Sequence, residues 1–387
     1  MADEISRTPT SAEADTIQWM PIAAFISILL IGAGVIQSSN GMPTEAAIDL
    51  FANDVEILDI AYSNSVGAAI VHDNGENSLH IFEGDVPSMI TLNGSPNSIS
   101  STTSGWLIGG DEGMLAQLDG ETITEIDLLG SSDTVIDAVL VDNKSGWVII
   151  QRDSEIQLRT FDLDSTTSKL SLAATLPSDE INLQGVEVDS TGTVALVRAT
   201  STTFSNPISS TSSGEVLLMA SASLGTQPDV TLIQHGGGHP YHTLMISEHD
   251  DILGYAVSTD SVVMISDTGI VRSIAGLEGG IAAALDSDCR LWILHEEQAI
   301  STYDVDNGVD SMRIDSPTGE NPRMVSSDSG LLRIVYDDSS ALTLDTDDYT
   351  DPIARPGLLF DSIFLTIVLG TLLILGRNFY VMGFDAW

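Results

Sequence analysis

Seven stretches of this chain repeat one pattern, and that repetition limits its fold more than any other feature. In residues 137–150, DAVLVDNKSGWVII, an apolar-alternating run leads to a polar turn at Ser145-Gly146, and a second apolar run opens with Trp147. Segments 57–71, 97–109, 183–197, 243–257, 281–294 and 323–335 share the form. Their turn positions, Gly67, Gly105, Gly146, Gly192, Asp251, Cys289 and Gly330, are separated by 38, 41, 46, 59, 38 and 41 residues. Alternation with a period of two is the mark of a half-buried strand, and no helical period competes with it. A unit of about forty residues that cannot bury its own apolar faces must stack on copies of itself.

Each copy is followed by more strand-like sequence. After Asp153 come residues 156–163 (IQLRTFDL) and 169–176 (KLSLAATL), and after Glu297 come residues 299–305 (AISTYDV) and 310–314. The expected fold is therefore all-β: a seven-bladed β-propeller of four-stranded blades over residues 44–350. The pattern resembles the WD-repeat, YVTN and quinoprotein-type propeller superfamilies. The resemblance is one of architecture, because the Gly-His and Trp-Asp pairs of WD repeats and the Trp-ended motif of quinoprotein blades are missing. The last copy is short, with only residues 341–344 (ALTL) after residues 331–336. Residues 45–51 (EAAIDLF) are expected to supply its outer strand and close the ring without an exposed edge.

The two ends have a different character. Residues 17–36, apolar apart from Gln18 and Ser27, reach about 30 Å as a helix, the thickness of a hydrocarbon core. They read as a transmembrane helix rather than a cleaved signal, since Asp3, Glu4, Glu13 and Asp15 precede them against a lone Arg7. Residues 358–375 form a second such run between Arg355 and Arg377, with Asp361 in its first turn near the interface. The expected order is a tail (1–16), a transmembrane helix (17–36), a linker (37–43), the propeller (44–350), a linker (351–357), a transmembrane helix (358–375) and a tail (376–387). Two spans put both tails on one side. The Arg bias, though weak, points to cytoplasmic termini and an extracytoplasmic propeller in the cell membrane.

Asp and Glu number 56 against 13 Lys and Arg, a formal charge of -43. Such a surface repels nucleic acid and anionic headgroups, so the propeller is not expected to bind nucleic acid. The acids are spread along the chain, as on a solvated surface, rather than gathered in a tail. Cys289, the one cysteine, allows no internal disulfide and reads as a packing residue. Trp106, Trp147 and Trp292 recur behind the turn, a position that packs on a neighbouring blade.

Candidate chemistry concentrates where the copies differ. His235-Gly-Gly-Gly-His239-Pro-Tyr-His242 places three imidazoles directly before the fifth copy, on the face where propeller ligands sit. Three histidines with an open position could hold a divalent metal such as zinc, although a Gly/His/Pro loop also serves as a plain turn. The ends of the second strands, including His72, Arg152, Arg198, His295 and Tyr336, face the same mouth and could line a ligand site, or be hairpin-turn residues. Asp304-x-Asp306-x-Gly308-x-Asp310 departs from a calcium loop at its third ligand position. The long interval comes from residues 199–214, a Ser/Thr-rich loop. Two glycosylation triplets start at Asn93 and Asn143. Without a complete catalytic set, the expected function is a membrane-anchored scaffold or sensor that binds a protein or small ligand on its top face. The alternatives are a metal-dependent hydrolase or lactonase-like enzyme using the three histidines, and an accessory subunit of a larger membrane complex.

Overall fold

The structure, a computed structural model, describes residues 23, 25–32, 55–63, 66–83, 86–120, 122–142, 144–163, 169–201, 214–236, 238–249, 251–296, 299–314, 321–326, 330–336, 340–350 and 363–374. The chain forms two compact units: Thr44–Thr346, and Met1–Pro43 together with Asp347–Trp387.

In the larger unit the seven copies become seven antiparallel sheets, at residues 56–90, 96–125, 133–170, 181–235, 243–273, 282–313 and 323–345, here blades 1 to 7. Blades 1 to 6 have four strands in sequence order, and blade 7 has three among the described residues. The segment expected to complete blade 7, residues 45–51, lies outside the described residues. The innermost strands are Glu56–Ser63, Pro96–Ser101, Asp133–Leu140, Ile181–Val188, Thr243–Ile246, Ala282–Leu285 and Arg323–Ser326. Each touches the next, and the last touches the first, so the sheets close into a ring. The protein is a seven-bladed propeller. In blade 3 the fourth strand is shorter than its apolar run suggests. Only Lys169–Leu170 is strand, although Ser171 and Ala174 still donate to the Thr160 and Leu158 carbonyls.

The core is divided among the seams between blades. Trp147, Ile149 and Leu158 of blade 3 pack with Leu183, Val186 and Val197 of blade 4. The same arrangement joins blades 1 and 2, 2 and 3, 4 and 5, and 5 and 6. Alternation makes this possible, because each strand sends every second side chain to one neighbour and the rest to the other. The three tryptophans behind the turns are all buried. Trp147 Nε1 donates to the Gly192 carbonyl of blade 4 at 2.9 Å, and Trp106 Nε1 to the Ala61 carbonyl of blade 1 at 3.2 Å. Trp292 Nε1 instead donates to Asp286 in its own blade at 2.7 Å, beside the buried Arg290–Asp286 pair.

The seam between blades 7 and 1 relies on two arginines. Arg333 Nη1 donates to the Tyr62 hydroxyl at 2.6 Å, with its guanidinium carbon 5.1 Å from the centre of that ring. Arg323 Nε donates to the Ile57 carbonyl at 3.2 Å. Apolar contacts of Ile57, Tyr62 and Ala69 with Val335 and Ala341 complete the seam.

Cys289 occupies a turn with φ +59°, half-buried, so it is a hairpin residue and not a core filler. The turn comes from Asp286, whose carboxylate accepts the Asp288 and Arg290 N–H groups.

In the smaller unit, residues 23, 25–32 and 363–374 are helical, and the rest of each long apolar run lies outside the described residues. Among the described residues no helix is long and apolar enough to cross a membrane. Both helices nevertheless leave large apolar side chains exposed, with Leu30 at 70% and Leu373 at 75%. Their polar residues turn inward on the backbone: Ser27 Oγ donates to the Ala23 carbonyl and Thr371 Oγ1 to that of Ile367. Gly32 leaves no room for a Cβ beside the Phe364 ring, so the two helices of one chain meet there.

Truncating Trp147 removes a fully buried indole and its cross-blade hydrogen bond. Trp147→Ala is expected to cost about 3–5 kcal/mol in urea unfolding followed by tryptophan fluorescence. A loss below about 1 kcal/mol would show that the seam is not filled as described.

Candidate functional site

The feature that gathers polar chemistry is the central channel. It is a cavity of about 900 Å³ lined by all seven innermost strands. Its polar wall arises from an irregularity shared by four consecutive blades. The inner strands of blades 1 to 4 each carry a β-bulge, at Leu58, Asn97, Ile136 and Gln184, where one residue goes unpaired. A bulge re-aims the side chain after it. The residues in that position are Asp59, Ser98, Asp137 and Gly185, and of these Asp59 and Asp137 bring carboxyl groups to the channel.

Asp59 Oδ1 accepts the Ile60 N–H of its own strand and Oδ2 the Ile99 N–H of blade 2, both at 2.9 Å. Asp137 repeats the arrangement, accepting from Ala138 and from Val186 of blade 4 at 2.9 Å. Ser98 is too short to reach across, and its Oγ, buried at 5% exposure for the residue, has no hydrogen-bond partner. Gly185 leaves space that Arg198 fills: a Cβ there would lie 3.0 Å from the guanidinium carbon. Two residues beyond Gly185, Glu187 also lines the channel.

These acids keep some accessible surface because the channel admits water, while protein surrounds them on their other sides. Burial pushes the Asp59 carboxyl up to about 6, with Asp137 adding to the rise and its two N–H donors and Arg323 opposing it. Burial, with Asp137 and Asp59 contributing, pushes Glu187 up to about 8 against the pull of Arg198. Asp137 is raised by burial as well, while the Val186 N–H and Arg198 hold it down. Near neutral pH the wall thus carries ionised Asp59, a largely protonated Glu187 and the cationic Arg198 and Arg323.

The residues singled out in the sequence have separate environments. Arg198 enters the channel. Arg152 instead forms a bidentate pair with the buried Asp133, at 2.7 and 2.6 Å, and holds Asp133 below the usual carboxylate range. His72 Nδ1 donates to Asn77 Oδ1 at 2.6 Å beside the two-residue turn Asn74-Gly75, whose φ angles are +51° and +88°. His295 donates through Nδ1 to the Gly279 carbonyl at 3.0 Å and accepts from Ser301 Oγ at 2.8 Å. Tyr336 is buried.

The histidine loop does not gather its imidazoles. His235 and His239 are exposed. His242 lines the channel, its Nε2 donating to the Gly280 carbonyl of the linker into blade 6 and its Nδ1 accepting from Thr243 Oγ1, both at 2.8 Å. Burial holds His242 below the usual imidazole range, so it is neutral with both nitrogens engaged. Among the described residues no group of three His, Cys, Asp or Glu is placed to hold a metal ion. The glycines of the loop fold around Glu215: Gly236 N–H donates to the Glu215 carbonyl, and a Cβ on Gly238 would lie 2.9 Å from the Glu215 carboxyl. Asp304 caps its own turn, its Oδ1 accepting the Asp306 and Asn307 N–H groups. The Ser/Thr-rich insertion joins the second and third strands of blade 4, and residues 202–213 lie outside the described residues.

No family model matches the sequence, and neither does any curated protein. Among solved structures the fold is similar to a virginiamycin B lyase from Staphylococcus aureus, at 11% identity and a TM-score of 0.53, over 79% of this chain and 98% of that one. It is also similar to the WD40 propeller domain of Doa1, at 14% identity and a TM-score of 0.52, over 78% and 96%. A puromycin-hydrolysing peptidase of Mycobacterium tuberculosis matches at 12% identity and a TM-score of 0.54, over 79% of this chain and 54% of that one. At such identities the likeness establishes the propeller fold alone.

Glu187 gives the channel a pH signature. Because its folded-state value stands above the ordinary 4.5, the folded chain keeps a proton that the unfolded chain releases. Stability therefore falls as pH rises through that window. Glu187→Gln removes the loss, so its urea midpoint is expected to exceed the parent's by a margin that grows from about pH 5 to about pH 9. A constant margin would contradict the environment described.

Proposed function

We propose that this chain is a membrane-anchored propeller that works without catalysis, as a ligand- or protein-binding scaffold or sensor. Its propeller stands outside the cell membrane, with both termini in the cytoplasm. The observation that carries the reading is the channel, where the acidic groups of Asp59, Asp137 and Glu187 and the guanidinium of Arg198, from blades 1, 3 and 4, line one cavity. Such a wall recognises a polar ligand by placement of charge. WD40 domains among the similar folds are in keeping with a protein partner at the rim.

The membrane part rests on the apolar side chains exposed along residues 25–32 and 363–374 and on the apolar sequence that continues both helices. The positive-inside bias supports the orientation. The engaged nitrogens of His242 speak against a metal-dependent enzyme built on the histidine loop.

The test compares full-length chain with a chain lacking residues 44–350, both captured from detergent extracts of intact membranes. Retention of both in the membrane pellet after alkaline carbonate washing, with partners captured only by the full chain, is the expected result. Partners that persist unchanged on the deletion would assign recognition to the helices, and release by carbonate would remove the anchor.

A further inference from the structure

Arg198 reaches the channel by an exchange between two strands. In blades 1 and 3 the residue after the bulge is an aspartate, and it pairs with a buried isoleucine of the second strand, Asp59 with Ile70 and Asp137 with Ile149. Blade 4 reverses the assignment and pairs Gly185 with Arg198. The missing side chain is what lets a second-strand residue pass the inner strand, since a Cβ on Gly185 would lie 2.5 Å from Arg198 Nε. The guanidinium thereby lines a cavity that the inner strand would otherwise screen from it.

Arg198 differs from its neighbours in the channel by what it leaves unused. Asp59 and Asp137 each accept two backbone N–H groups, Arg323 Nε donates to the Ile57 carbonyl, and both nitrogens of His242 are engaged. Arg198 makes no hydrogen bond to any described residue and acts on Asp137, Glu187 and His242 only through its charge. A guanidinium placed merely as a counter-charge gains most by hydrogen bonding to the acid it neutralises. Here its donors are left for a solute. The guanidinium fork matches the two oxygens of a carboxylate, a fit that a spherical halide cannot reproduce. One free cation among acids also favours a monoanion over a doubly charged one.

We infer that the channel seats a small organic monocarboxylate on the guanidinium of Arg198, in the space that Gly185 leaves. The inference rests on the reading of the propeller as a ligand-binding module and names the chemistry of its ligand. The other charged or titratable groups lining the cavity are Asp59 and Tyr62 of blade 1, Asp137 of blade 3, Glu187 of blade 4, His242 and Arg323. Tyr62 is committed to Arg333, and His242 is neutral. Asp59, Asp137 and Glu187 all hold protons more readily than free carboxyls. Their ionised forms repel a bound carboxylate, so affinity rises as pH falls and they become neutral.

The test is calorimetric titration of the full-length chain in detergent with acetate, butanoate and benzoate, against chloride at constant ionic strength. At least one carboxylate is expected to bind about tenfold or more tightly than chloride, and about tenfold more tightly at about pH 5.5 than at about pH 8.5. Gly185→Ala, which removes no charge, is expected to displace the guanidinium and weaken binding about tenfold. Arg198→Lys keeps the charge without the fork and is expected to weaken it as much, whereas a mere counter-charge would be replaced by lysine. Unfolding midpoints show whether each variant is folded, and the chloride and pH comparisons on the parent chain need neither variant. No carboxylate binding, chloride bound as tightly, an affinity that does not rise towards acid, or folded variants that bind as the parent does would each overturn the inference. Partner capture that persists alongside failed titration would leave the scaffold reading standing and remove the carboxylate alone.

Discussion

At two of its junctions, between blades 1 and 2 and between blades 3 and 4, the ring is tied by a carboxylate that links one inner strand to the next. A four-stranded sheet ends in a strand edge with unpaired backbone groups, and in a propeller those edges crowd the axis. Asp59 and Asp137 meet this constraint twice over, each accepting an N–H of its own strand and one from the following blade. The bulge that turns each carboxylate inward costs one residue of pairing and provides a polar lining. Structure and candidate site thus share one origin: the groups that hold neighbouring blades in register are the groups that face the cavity.

This arrangement explains which parts of the sequence were readable. The repeat gave seven blades because alternation and turn chemistry are local properties, and the packing role of the tryptophans followed from their recurrence behind the turns. The channel was not legible in the same way. Asp59, Asp137 and Glu187 are three acids among 56, in different copies, and a bulge shifts the alternation by one residue without changing composition. The signal that could have found them is the break in period at Leu58, Ile136 and Gln184, visible once the copies are aligned by their second strands. Arg198 stood out, but among turn residues that have little in common with it. Conversely, the glycines between His235 and His239 suggested a flexible ligand loop, whereas their small size lets the chain close around Glu215.

With so few basic residues in the chain, the positions of its arginines are informative. Arg152 neutralises a buried aspartate, Arg290 sits beside Asp286 under Trp292, Arg323 and Arg333 join blades 7 and 1, and Arg198 enters the channel. Most cations with a described role lie at turns, seams or the cavity, and the remaining acids are left to water and counter-ions. The formal charge of -43 therefore overstates the repulsion within the framework while describing well the field that an approaching partner meets.

The seam between blades 7 and 1 has a mechanical meaning. The described propeller begins in blade 1 and ends in blade 7, where Thr346 ties the departing chain to the Gly330 carbonyl through both its N–H and its hydroxyl. Tension along the chain at those two ends would load the Arg333–Tyr62 and Arg323–Ile57 contacts in shear. The other six seams would be shielded, because the chain is continuous across each of them. Among the described residues the ring would then yield first at this seam, opening like a clasp while the remaining blades keep their packing.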